Sequence, residues 1–161
     1  MTEGSRFPHG LRVGENLLEL QSGYQIASKA VTFAGGTTNA RGDQDGTGNP
    51  GALFTVTGDV LVVIFAKCTT NLAGSSATLE VGVTGNTAAL LAQTTAEDID
   101  AGDVWRDASP AVGAEAINGA VFIAGGLDII ETTGTANITA GAITYYCMWL
   151  PLSSDGNVVA A

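Results

Sequence analysis

Short apolar stretches separated by glycine, threonine and aspartate make up most of the chain, and many alternate with a period of two. In Leu53–Thr57, Phe54 and Val56 alternate with threonines, the pattern of a strand with one face in a core. Gly58-Asp59 marks a turn, and Val60–Ala66 then runs apolar without a break, as strands covered on both faces do. Ala77–Val83 alternates again, and Thr84-Gly85-Asn86 supplies residues that tolerate positive φ. Thr87–Gln93 fits a strand or a short helical turn, and periodicity does not decide between them. Further short strands are predicted around Leu18–Gln21, Gln25–Phe33, Ala120–Ile123, Leu127–Thr132 and Ala142–Leu150, punctuated by Gly125-Gly126, Gly134 and Gly141. No long amphipathic helix and no fixed repeat emerges. The pattern predicts an all-β chain: a single antiparallel β-sandwich, jelly-roll-like, over residues 17–161.

Four segments depart from this rhythm. Residues 1–16 contain Pro8 and three glycines, which argues for an extended N-terminal arm rather than a helix. Such an arm gains its order from a neighbouring surface, and Arg6, Phe7 and Leu11 are its candidate contact residues. Residues 34–51 have almost no apolar content, so they form a loop at the surface or at an interface. Residues 94–114 read as acidic and irregular, with Trp105 isolated among carboxylates. A lone aromatic there either packs back onto the core or meets a partner. The stretch Ile143–Leu150 is bulky on both faces, with Ile143, Tyr145, Cys147 and Trp149 on one and Tyr146, Met148 and Leu150 on the other. It is either a central strand or a strand with one face against a partner. Tyr, Met and Trp are enriched at interfaces, so Tyr146, Met148 and Trp105 join the candidate interface residues. The apolar ending of 151–161 suggests a docked segment.

Charge narrows the function. The 161 residues carry 16 acidic and 6 basic side chains, a formal net charge of −10. Nucleic-acid binding needs clustered Lys and Arg to neutralise phosphates, and an anionic membrane surface asks for the same; neither partner is expected. The longest apolar run is strand length, far below the roughly 20 residues of a membrane helix. Residues 1–15 lack the apolar segment of a signal peptide, so synthesis in the cytoplasm is expected.

Candidate chemistry is sparse. The single histidine, His9, sits in the arm, away from any cleft a nucleophilic triad would need. Cys68 and Cys147 are too few for a disulfide framework or zinc site and read as buried thiols. Glu97, Asp98, Asp100, Asp103 and Asp107 form the densest carboxylate group; their spacing matches no Ca²⁺-loop consensus, yet weak Ca²⁺ binding from an irregular loop stays more plausible there than catalysis and is left open. Asp43-Gln44-Asp45-Gly46 begins like a Ca²⁺ loop, yet Ala52, Leu53 and Phe54 stand where the closing carboxylate belongs. Arg41-Gly42-Asp43 is an integrin-type tripeptide by letters only. No catalytic residue, cofactor or consensus metal site is expected.

Three stretches, Leu53–Leu72, Ala77–Trp105 and Tyr145–Ala161, together a little under half of the chain, resemble a family of small virion structural proteins encoded among phage and prophage head and tail genes. The resemblance implies a β-sandwich that decorates or cements a capsid. Its partner would be the major capsid protein, its state a homo-oligomer with a trimer favoured, and its place the outer head surface. Alternatives from other classes are a tail-tip or capsid-surface module that binds a receptor or glycan around Trp105, a major tail or neck protein, and an enzyme using the acidic cluster.

Overall fold

A computed structural model describes the backbone of residues 11–13 and 16–18, and residues 24–161 apart from Asn118. Two short strands, β1 (Leu11–Val13) and β2 (Asn16–Leu18), pair with each other in a sheet of their own. β2 straddles the boundary expected at residue 16. The side chains of Arg6, Phe7 and Leu11 lie outside the described residues.

The rest is the expected sandwich of two antiparallel sheets. One has the order β3 (Gln25–Thr32), β12 (Ala140–Pro151), β5 (Val60–Ala73), β8 (Asp103–Trp105), β9 (Ala111–Val112), with β10 (Val121–Ile123) also paired to β5. The other runs β13 (Asn157–Ala160), β4 (Gly51–Thr57), β11 (Ile129–Gly134), β6 (Thr78–Val83), β7 (Asn86–Thr95). The undecided stretch after Asn86 is thus a strand, and the ending of the chain docks through Val158 opposite Val56.

The long strands β5 and β12 form the backbone of the six-stranded sheet and pair from Pro151↔Val60 to Ala140↔Ala73. Alternation decides which side chains enter the core. Val62, Ile64, Ala66 and Cys68 point inward from β5, and Ile143, Tyr145, Cys147 and Trp149 from β12. They meet Phe54, Val56, Leu79, Val81, Leu91 and Ile129 of the other sheet in one core. Removing this much apolar surface from water is the main stabilising term of the fold.

The stretch 34–50 is more regular than its composition suggested. Backbone N–H groups of Thr37, Ala40, Asp43, Gly46 and Asn49 donate to the carbonyls of Ala34, Thr37, Ala40, Asp43 and Gly46 respectively. Five turns therefore follow one another at three-residue intervals. The spiral lies directly on the chain around Ile138: Gly35 N–H donates to the Ile138 carbonyl and Ile138 N–H to the Gly42 carbonyl, both at 2.9 Å. A Cβ on Gly42, whose φ is +93°, would collide with the Ile138 carbonyl, so glycine is required there by both space and conformation.

Residues 94–105 were expected to be irregular, but β7 extends to Thr95, a 3-10 turn covers Ala96–Asp98, and β8 pairs with β5 through Ala66↔Trp105.

Candidate assembly interface

The outward positions of the six-stranded sheet follow from its register. Met148 lies between Ile26 and Val63, Tyr146 between Ser28 and Phe65, and Leu150 beside Leu61, which pairs in turn with Phe122. Phe65 and Tyr146 stack, with ring centroids 5.3 Å apart and planes 18° from parallel. Of these residues Val63 is buried, Leu61, Phe65, Tyr146, Met148 and Leu150 are half-buried, and Ile26 is 67% and Phe122 55% exposed. Tyr146 and Met148 therefore stand together on the outer face, on the opposite side from Tyr145 and Cys147, as the two-sided pattern of Ile143–Leu150 implied.

This face also has a distinct electrostatic character. Strands β3, β5, β10 and β12 contain no aspartate or glutamate, in a chain that has 16. Their charged residues are Lys29 and Lys67. Lys29 turns to the sheet edge, where its Nζ donates to the Ala161 carbonyl. Lys67 is exposed, opposite Thr144. A contiguous apolar face free of carboxylates is the surface on which a strongly acidic protein meets a partner with least electrostatic cost.

Trp105 does not belong to this or any other exposed surface. Pairing with Ala66 turns its side chain inward, where it is 0% exposed and packs edge-on against Tyr145 at 6.2 Å and 62°. Its place among the interface candidates is corrected: it is a core residue, and the glycan-binding alternative loses its aromatic platform. Nearby carboxylates close turns. Asp103 Oδ2 accepts the Asp100 N–H at 2.9 Å and Asp107 Oδ1 the Ser109 N–H at 2.8 Å. In the glycine-rich spiral, Asp43 accepts the Asn39 and Asp45 N–H groups in the same manner. Among the described residues no group of three or more His, Cys, Asp or Glu is placed to hold a metal ion.

The sequence reading missed a buried polar cluster between the sheets. Glu131 enters the core from β11, and its Oε1 accepts from Arg41 Nε at 2.7 Å while its Oε2 accepts from Tyr145 Oη at 2.5 Å. Arg41 thereby ties the turn spiral to both sheets. Burial raises the Glu131 carboxyl above its ordinary pKa, a shift opposed by the Arg41 charge and the bonds from Tyr145 and Arg41. Burial, with the neighbouring Glu131 carboxylate, pushes the Tyr145 hydroxyl well up. The inward period of Ile129, Glu131 and Thr133 was the available signal, since alternation places Glu131 on the core side. Cys68 and Cys147 are both buried and free, and burial pushes the Cys147 thiol up to about 12.

A second surface feature lies where the sheets part beside β7. An apolar cleft of about 320 Å³ opens there, lined by residues including Val83, Ala89, Leu90, Phe122 and Leu127. No protein-family model, curated protein or solved structure matches the chain significantly.

Proposed function

We propose that this chain is a structural component of a bacteriophage particle: a capsid decoration protein that lies on the outer head surface and stabilises the shell through protein–protein contacts. The observation that carries this reading is the carboxylate-free apolar face of Ile26, Leu61, Phe65, Phe122, Tyr146 and Met148 on a chain of net charge −10. Assembly needs a sticky surface that does not trigger premature association. Acidic charge over the remaining surface keeps free copies apart, while the apolar face holds once many equivalent sites are presented together. The sequence resemblance of Leu53–Leu72, Ala77–Trp105 and Tyr145–Ala161 to phage virion proteins supports the same reading.

The partner in this account is the major capsid protein, whose lattice offers symmetric sites. A homotrimer suits threefold positions. Cryo-EM with quantitative mass spectrometry on particles that carry the chain tests the proposal. Copy numbers comparable to the shell protein, with density on the head, are expected. A handful of copies confined to the tail would replace decoration by a tail role, and absence from mature particles would refute a structural role.

A further inference from the structure

Strand β7 ends the five-stranded sheet, and among the described residues nothing pairs with its outer edge. It is ten residues long, NTAALLAQTT, with no charge and no proline. Proteins usually blunt such an edge with lysine, proline or an inward-facing charge. The other sheet's edge strand β3 has that protection in Lys29, which is engaged across the sandwich edge. β7 lacks it, and the apolar cleft lined by Ala89, Leu90, Phe122 and Leu127 opens alongside it. An open edge beside an apolar cleft is the arrangement that binds an added strand, main chain pairing with the edge and a side chain filling the cleft.

The topology indicates where that strand comes from. A single register row crosses the six-stranded sheet: Gln25 pairs with Trp149, Trp149 with Val62, and Val62 with Val121. At one end of the row residues 1–23 join β3; at the other lies β10, whose Val121, Phe122 and Ile123 line the cleft. The start of β3, to which the arm is joined, and the cleft thus sit level with each other on opposite edges of the six-stranded sheet. A copy placed edge to edge delivers its arm to its neighbour's cleft without crossing the sheet. The same arm folding back would cross three strand spacings, about 15 Å, which a segment of this length can span, so crosslinking is needed to separate the two routes. The segment has the composition for the task, with Phe7, Leu11, Val13, Leu17, Leu18 and Leu20 within it.

We propose that residues 1–23 of one copy add to the β7 edge and fill the adjoining cleft of a second copy, and that this head-to-tail exchange closes the oligomer into a ring. A donor on one edge and an acceptor on the other make a heterologous contact, which closes only as a cyclic assembly. The inference deepens the assembly role proposed above and rests on it for its purpose, but not for its geometry.

The full-length Leu11→Cys/Ala89→Cys variant tests it. Its native thiols are buried, so mild oxidation reports the engineered pair. Covalent oligomers on a non-reducing gel are expected, at least about tenfold above either single variant because the exchanged arm is held at high effective concentration. A monomeric band carrying an internal disulfide, or no crosslink, would overturn the exchange. In parallel, Ala89→Glu and Leu127→Asp in the full chain place a charge in the cleft. Sedimentation should show association weakened on the order of 100-fold with an unchanged near-UV circular dichroism spectrum. Unchanged association in both variants would refute the proposal. Particles fully decorated by a monomeric chain would remove strand exchange and leave the decoration role intact. Rings that never occupy particles would do the reverse.

Discussion

The outward side chains of the five-stranded sheet include Thr55, Thr57, Glu80 and Gln93, with Gln93 Nε2 donating to Glu80 Oε2 at 3.1 Å. Those of the six-stranded sheet include Leu61, Phe65, Tyr146, Met148 and Leu150. Both sets sit on strands of similar pleat whose inner faces enter one core, although the five-stranded sheet also turns Thr94, Glu131 and Thr133 inward, so secondary structure does not account for the difference. Threonine combines good strand propensity with a hydroxyl that water can satisfy, and it suits a face that stays wet. Stacked aromatics and methionine gain from losing water. One sandwich therefore presents a more polar face and a more apolar one, and the proposed assembly role assigns docking to the second.

The largest expected effect concerns what joins the two sheets. Glu131→Ala strips Arg41 and Tyr145 of their shared partner and leaves both polar groups uncompensated, so equilibrium urea unfolding should show a loss of about 3–5 kcal/mol. A loss below about 1 kcal/mol would mean that the sheets are not coupled through this cluster. Next comes the direct comparison of faces. Tyr146→Asp with Met148→Asp should reduce particle occupancy on the order of 100-fold, because two carboxylates must be desolvated on docking. Thr55→Asp with Thr57→Asp should change it by less than about threefold. Equal losses from both pairs would erase the distinction between the faces.

A smaller effect depends on pH. The folded Glu131 carboxyl has a pKa above the ordinary value of 4.5, so the native state holds this proton more tightly than the unfolded chain. Its contribution to stability is complete below the ordinary value and is lost as pH rises through the raised one. The stability of wild type relative to Glu131→Gln should therefore decline from about pH 4 towards neutral, measured as the difference between their urea midpoints. A difference that grows with pH would contradict the sign. The smallest effect is ionic. Association through a carboxylate-free face is opposed only by the charge surrounding it, so added salt should strengthen it modestly, by screening repulsion between copies. Weakening by salt would point to ion pairs at the contact instead.

The local features were readable from single segments. The alternation of Phe54 and Val56, the continuous run Val60–Ala66 and the two-sided bulk of Ile143–Leu150 all carry their signal within eight residues, and each is a strand, although Val60–Ala66 leaves Leu61 and Phe65 only half-buried where cover on both faces is the expectation. What depended on distant partners was not readable. β5 and β12 lie some 70 to 90 residues apart, and their pairing is what gathers Phe65 and Tyr146 into one patch. Trp105 has polar neighbours in sequence, but its orientation is set by a two-residue ladder with β5. Arg41 shows only a tripeptide in its local sequence, and its role comes from Glu131, 90 positions away. The spiral at 34–50 hid for a different reason: turn bonds repeating every three residues leave no hydrophobic period to detect.

In the proposed role, the chain joins a particle through the outer face of the six-stranded sheet. Cryo-EM of particles bearing the wild-type chain tests it most directly. Density is expected in which Phe65, Tyr146 and Met148 face the head shell and Thr55 and Thr57 face solvent. Density with the threonine face against the shell, or with both faces solvated, would contradict it.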